Sequence, residues 1–375
     1  MTDKMRMTRS LALLAASALM LAGCSAIGPD AEVTEVDYKA CIATSSSKIE
    51  TGSIDDQALD GVQRAVVKQG VGFKLAPATA KPNTESYVNQ LKSLIAADCD
   101  FVVAVSHRMA AATYRVAKAN PKIRFALVDA ELTTSKGQPA ELENVRELRF
   151  DAAQPAFMAG YLAAASTKTG VVAAFGATRA PQITSVIAAF KQGVDYFNSQ
   201  DGTSVRVIGS PGVDPRDWSV SGNWGDSTAQ TKLAFRLVNR GADVIFIYGG
   251  SVVLDSAPDV FVFTTDEGTK MIPRFIGIDT DWWALDANAQ VKSLILASVV
   301  KRVAPSVETS IAAGLTETFV GGAIGRSIGT LADGSVSLTE AHSVAYPAGV
   351  ATRLTQLATE IGDGTIVVDS SINNK

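Results

Sequence analysis

Residues 101–128 read FVVAVSHRMAAATYRVAKANPKIRFALV, and this stretch decides the fold. It opens on the uninterrupted apolar run Phe101–Val105 and closes on a second run, Ile123–Val128. Residues 108–119 between them read as a helix. A strand written as an apolar run, rather than as an alternation, is covered on both faces. Two such strands with a helix between them predict a parallel pair joined by a crossover.

The same unit repeats outward in both directions. Toward the amino end lie strands Tyr38–Thr44 and Gly72–Ala76. Helix 57–68 shows Leu59, Val62 and Val66 on one face, and helix 84–97 shows Tyr87, Leu91, Leu94 and Ile95. After Phe150 the alternation starts afresh. Helix 153–167 carries Phe157, Tyr161 and Leu162, and Val171–Phe175 is a strand. Helix 181–198 carries Ile183, Val186, Ile187, Phe190, Val194 and Phe197. Strand Val205–Ile208, helix 227–240 and strands Val244–Tyr248 and Phe275–Ile278 follow, with the Gly-, Pro-, Asp- and Ser-rich stretch 209–226 read as loop. Two tandem runs predict two doubly wound α/β lobes, whose ligands sit at the carboxyl ends of the strands and so in a shared cleft. The expected division is residues 37–150 plus about 280–320 for lobe 1, and 151–279 plus about 321–375 for lobe 2.

The amino terminus sets an expected compartment. Lys4, Arg6 and Arg9 precede the apolar segment LALLAASALMLA (11–22), and Leu21-Ala22-Gly23-Cys24 follows. This is the pattern of a cleaved signal peptide over residues 1–23. The Cys after Leu-Ala-Gly resembles the bacterial lipobox, which implies lipidation of Cys24 and a small, polar tether over 24–36. Acyl chains burying ~0.8 kcal/mol per CH₂ would then hold the protein on the extracytoplasmic face of the cell membrane.

Composition excludes several classes. The net charge of −4 comes with no basic cluster, which argues against nucleic acid. Beyond Cys24 only Cys41 and Cys99 remain, with no CxxC pair and only His107 and His342, so no metal site and no cofactor are expected. No Walker loop, G-x-S-x-G elbow, HExxH or GxGxxG signature is present.

Polar residues at strand ends are the candidate binding groups. Asp129 ends FALVD, Asp279 and Asp281 end FIGIDTD, and Gly249 and Gly250 end VIFIYGG. A carboxylate beside a buried edge is costly unless partnered, and a ligand hydroxyl or amine would be such a partner. His107 follows strand 101–105 and reads equally as a cleft contact or a helix-start residue. Asp55 and Asp56 open the first helix and read equally as helix caps or ligand contacts. Lys301, after LILASVV (294–300), either reaches the cleft or is a solvated charge beside Arg302. In a sheet of order 2-1-3 the first and third strands are neighbours about 5 Å apart. Cys41 and Cys99 are therefore placed for a disulfide, the alternative being two buried thiols.

Taken together, GSIDDQALDGV (52–62), DCDFVVAV (98–105), ANPKIRFALVDAEL (119–132), the long segment ENVRELRFDAAQPAFMAGYLAAASTKTGVVAAFGA (143–177), GADVIF (241–246), FIGIDTD (275–281) and ILASVVKRV (295–303) form a recognisable set. The chain resembles the basic membrane protein family of substrate-binding lipoproteins, which includes purine nucleoside receptors of ABC importers. The resemblance covers most of residues 38–320. It implies the type I periplasmic-binding fold, with two doubly wound lobes joined by three crossovers around a ligand cleft. It further implies that Asp279 and Lys301 hold ribose hydroxyls, that Gly249 and Gly250 follow the strand whose Phe246 stacks on the base, and that Asp129 faces the base. Asp56, Ser45, His107 and Trp282 complete the expected ligand contacts. Two positions depart from the family pattern. Gln57-Ala58-Leu59 stands where Ser-Phe-Asn is usual, so Ala58 replaces a base-stacking Phe, and Ser45 stands where Asp is frequent. Trp282 and Trp283 either take over that stacking or pack between lobes.

The resulting expectation is a monomeric surface lipoprotein, not an enzyme, that binds a nucleoside-like small molecule and delivers it to an ABC importer permease. A ligand sensor signalling to a membrane partner, or an exported nucleoside or sugar hydrolase, are the competing readings.

Overall fold

The apolar and amphipathic periods of the sequence become two six-stranded sheets with helices on both faces. The computed structural model describes residues 36–210, 219–222, 226–251, 263–264, 270–285 and 289–370. The leader pattern, Cys24, nearly all of the expected tether and most of the 209–226 loop lie outside the described residues.

In chain order the first lobe begins β1 (Lys39–Ala43), α1 (Ile54–Gln69), β2 (Gly72–Ala76), α2 (Thr84–Ile95), β3 (Phe101–Val105), α3 (Ala110–Ala119), β4 (Arg124–Val128) and β5 (Val145–Phe150). The second follows with α4 (Ala153–Ser166), β6 (Val171–Gly176), α5 (Pro181–Asp201), β7 (Arg206–Ile208), α6 (Ser227–Val238), β8 (Val244–Tyr248), the short pair β9 (Phe263–Thr264) and β10 (Lys270–Met271), then β11 (Arg274–Asp279), α7 (Ala289–Lys292) and β12 (Ile295–Lys301). The chain ends through α8 (Val303–Leu315), α9 (Gly322–Gly325), β13 (Ser327–Gly329), β14 (Val336–Leu338) and α10 (Val350–Gly362). The first sheet has the order β13-β5-β4-β3-β1-β2 and is parallel throughout. The second has the order β14-β12-β11-β8-β6-β7, parallel except for the antiparallel edge strand β14. Buried apolar clusters line both faces of each sheet. The chain passes between the sheets three times, after β5, after β12 and between β13 and β14.

The lobe boundary differs from the expected one. The expected lobe 1 segment 280–320 contains β12, yet β12 lies in the second sheet between β11 and β14. β13 in turn lies in the first sheet although its residues were expected in lobe 2. The reason is that 295–301 is apolar on both faces, which suits an inner parallel strand beside β11 and not an exposed connection. Within 280–320 it is α8 that returns to lobe 1, where Gly61 of α1 lets the backbone of Ala304 and the side chain of Val307 pack directly on it. β5 was not visible as a strand because VRELRF carries three charges in six residues, unlike the apolar runs of the other inner strands. Its Glu147 is buried by accepting hydrogen bonds from the Leu132 amide (2.9 Å) and Arg326 Nε (2.8 Å).

In lobe 2, α4 and α5 cross with their backbones in contact. A Cβ at Gly160 would overlap the Phe190 carbonyl oxygen, and one at Gly193 would overlap the Phe157 carbonyl oxygen. The two glycines therefore set the helix spacing beneath the second sheet. In lobe 1, Cys41 of β1 and Cys99, just before β3, are joined by a disulfide with a Cα separation of 6.0 Å.

Two stability measurements check these packing features. Gly160→Ala is expected to cost several kcal/mol, about 3 or more, because neither backbone can yield without separating the helices. Urea unfolding of a variant that loses less than about 1 kcal/mol would show that the crossing is not tight. Replacing Cys41 and Cys99 by Ala together opens a loop of sequence separation 58. That is expected to lower unfolding free energy by about 4 kcal/mol while leaving ligand affinity unchanged.

Candidate functional site

The carboxyl ends of the strands converge on one cleft. β1 leads into residues 44–53, β3 into Ser106 and His107, and β4 into Asp129, all from lobe 1. Lobe 2 supplies Tyr248, Gly249 and Gly250 after β8, Ile278 and Asp279 from β11, and Gln182 and Ile183 from the start of α5. They enclose a cavity of about 310 Å³. Its walls hold strained backbone. Of the five described non-glycine residues with positive φ, three line the cleft: Ser106 (80°), Asp129 (54°) and Asp279 (76°). Such conformations cost about 1–3 kcal/mol each and persist where the surroundings enforce them, which is typical of ligand sites.

At the floor, β12 ends in Lys301, whose side chain is 1% exposed. Its ammonium donates to Asp129 Oδ2 at 2.8 Å and to the Tyr248 hydroxyl oxygen at 3.0 Å. Asp279 Oδ1 lies 2.9 Å away as an ion contact, so the one ammonium is shared by two carboxylates. Asp129 belongs to lobe 1 and Lys301 to lobe 2, so the ion pair spans the cleft. A second link crosses nearby, from Gln57 Nε2 in α1 to the Asp279 carbonyl at 2.9 Å.

Burial would push the Lys301 ammonium down, but Asp129 and Asp279 overcome it and hold the group well above the usual lysine range. Burial pushes the Asp279 carboxyl up, opposed by Lys301 and reinforced by Asp129. These directions agree: two carboxylates share one cation, so one is left undercompensated. Burial likewise raises the Tyr248 phenol. Burial lowers His107 below its usual value, with Asp129 opposing, so the imidazole is neutral at neutral pH.

The opposite wall is hydroxyl-rich. Asp55 shapes it by accepting from the Ser45 amide (2.8 Å), the Ser45 hydroxyl (3.1 Å) and the Ser46 amide (3.1 Å). Burial raises the Asp55 carboxyl, and these Ser45 and Ser46 bonds oppose the shift. Tyr87 donates to the Ser45 carbonyl at 2.8 Å and fixes the same loop from α2.

The cleft thus brings together Asp279, Asp129, Ser45, His107, Gly249, Gly250 and Trp282, with Lys301 beneath them. Two expected residues lie elsewhere. Phe246 is fully buried and stacks on Phe190 with ring centroids 5.2 Å apart, because it sits in mid-strand with helices over both faces. The aromatic that reaches the cleft is Tyr248, two residues on, at the strand's carboxyl end. Asp56 turns back to accept from the Gly52 amide at 2.8 Å, while its neighbour Asp55 lines the cavity. Neither is the cap of α1. Ser53 is, accepting from the Asp56 amide. Trp282 packs within lobe 2, donating from Nε1 to the Ile278 carbonyl at 3.0 Å, and also lines the cleft. Trp283 instead stacks on His342, which contacts Asp281 at 2.9 Å. Sequence reading also missed Arg108 and Gln182 in the wall.

A family model described as "ABC transporter substrate-binding protein PnrA-like" (Bmp) matches residues 41–301. The chain belongs to this family. It is similar to the "ABC transporter nucleoside-binding protein BmpA" of Lactococcus lactis, with 23% identity over 98% of this chain and 99% of the relative. A "CD4+ T-cell-stimulating antigen" of Listeria monocytogenes is 22% identical over 84% of this chain and 85% of the relative. Among solved structures, an ABC transporter solute-binding protein from Aeropyrum pernix superposes with a TM-score of 0.69 at 19% identity, covering 90% of this chain and 96% of that one. One from Conexibacter woesei gives 0.64 at 16% identity, covering 89% and 99%. These likenesses establish the type I periplasmic-binding fold and a substrate-binding, ABC-transport family.

The buried ion cluster makes a stability prediction. Lys301→Met leaves Asp129 and Asp279 facing each other without a cation, and is expected to cost about 3–5 kcal/mol in urea unfolding. Adding Asp129→Asn and Asp279→Asn to that variant should recover most of the loss. No recovery would mean that packing, not charge, dominates.

Proposed function

We propose that this chain binds a ribose-bearing solute, a nucleoside in the first instance, and hands it to an ABC importer. The observation that carries this is the state of the Lys301 cluster. The ammonium is already surrounded by three protein oxygens, two of them from carboxylates that share this one cation, and Asp129 remains partly exposed. The floor therefore presents acceptors, and the natural partner is a ligand that donates, such as the vicinal hydroxyls of ribose. The nucleoside-binding name of the Lactococcus lactis relative supports the same class. The lipobox-like LAGC segment supports a lipid tether at Cys24 that keeps the receptor beside its permease. The protein acts as a monomeric receptor and performs no chemistry on its ligand. Incubation with nucleosides should release no free base.

Asp279→Ala is expected to weaken nucleoside binding by about 2–4 kcal/mol, roughly one and a half to three decades, by calorimetry. A loss under about threefold in a folded variant would place the ribose elsewhere. Binding should also fall on acidification. The folded-state Asp279 carboxyl is raised by burial, so it takes up a proton above the usual carboxylate range and ceases to accept a second hydroxyl bond. The sign for stability is opposite. The ligand-free fold gains from protonating this group, and that gain disappears as pH rises through the raised value. Affinity that stays constant down to the ordinary aspartate range would exclude Asp279 as the acceptor. Because the ligand bridges two lobes, saturation should reduce the radius of gyration in solution scattering.

A further inference from the structure

The two ends of the cleft are chemically unlike. The Lys301 end offers carboxylate acceptors, as described above. The other end is built from residues 45–53 with Ser106, His107 and Arg108, and is rich in hydroxyls. A nucleobase is held most effectively between aromatic faces, and such stacking is worth roughly fivefold to a hundredfold in affinity per base. Among the described residues, the two large rings of the wall have faces already committed. Trp282 packs its ring against the backbone of Gly277, where a Cβ would overlap it, and is 1% exposed. Tyr248 is 4% exposed and has the Lys301 ammonium 5.2 Å from its ring centroid. Phe246 is in the core, and Ala58, fully buried in α1, presents no ring.

What this end does offer is a fork of donors. Arg108 lines the cavity, its guanidinium lies 5.8 Å from the Tyr87 ring centroid, and no carboxylate pairs with it among the described residues. Ser45 is pinned by Asp55 and Tyr87. A guanidinium presents its N–H donors in a planar fork, and the carbonyl oxygens of a neutral head group are acceptors for them.

We infer that the far half of the ligand is recognised by hydrogen bonds to carbonyl oxygens, with Arg108 as the specificity-determining residue, and not by stacking on an aromatic ring. The ligand class is then ribosyl compounds whose head group carries carbonyls, aromatic or not. This rests on the ribose reading above.

Three ribosides separate the possibilities by calorimetry on the full chain: uridine, 5,6-dihydrouridine and methyl β-D-ribofuranoside. Dihydrouridine keeps the carbonyls of uridine and loses the aromatic ring. The methyl riboside keeps only the sugar. Dihydrouridine is expected to bind within about fivefold of uridine, and the methyl riboside to bind more than about fivefold more weakly than either. Arg108→Ala should weaken dihydrouridine by more than about fivefold, with a ligand-free melting curve to confirm folding. Dihydrouridine binding more than about fivefold more weakly than uridine would show that stacking dominates and would overturn the inference while leaving the ribose reading intact. So would a folded Arg108→Ala variant with unchanged dihydrouridine affinity. If none of the three binds but inosine does, this inference is overturned and the ribose reading stands; if inosine does not bind either, the ribose reading fails and this inference with it.

Discussion

Two carboxylates share one buried ammonium at the place where the lobes meet. Lys301 is carried by the last residue of β12 in one sheet and Asp129 follows β4 in the other. Removing such charges from water costs several kcal/mol per ion, so the cluster is tolerated only because each group has a partner within about 3 Å. That requirement fixes the relative position of the two sheet ends more stringently than apolar packing would. It also leaves an excess of acceptor capacity facing the cleft, and this excess gives the site its chemistry.

The rest of the architecture holds those groups in place. Asp129 and Asp279 both adopt positive φ at the ends of parallel strands, which turns their side chains from the sheet toward the cavity at a conformational cost. Such strain persists only on a stiff support. In lobe 1 the support includes the disulfide from Cys41, in the middle of β1, to Cys99 just before β3. In lobe 2 it includes the glycine-mediated crossing of α4 and α5 and the packing of Trp282 on Gly277. The hydroxyl-rich wall has its own buried post, Asp55, so even the irregular loop after β1 is held by three hydrogen bonds. The cleft is thus a product of firmly held strand ends in both lobes.

Much of this was legible in the residues. Parallel strands buried on both faces must be apolar throughout, so β1, β3, β4, β6, β8 and β11 stand out as runs, and a carboxylate closing such a run, as at Asp129 and Asp279, marks a cleft-facing end. Other features depend on distances that no local pattern encodes. VRELRF forms an inner strand with its carboxylate buried because the Leu132 amide and Arg326, 179 residues away from Glu147, both donate to it. Phe246 and Tyr248 share one strand and one parity. Which of them meets the ligand depends on how far the covering helices extend along the strand. Asp55 and Asp56 are adjacent, and the helix phase alone sends one into the cleft and the other back to Gly52. The sequence by itself determined the class of fold and the acidic strand ends, because periodicity and burial are local properties. The sharing of Lys301 between lobes, the sheet that owns β12, and the aromatic that reaches the cavity were decided only by the tertiary structure, because each depends on long-range pairing in three dimensions.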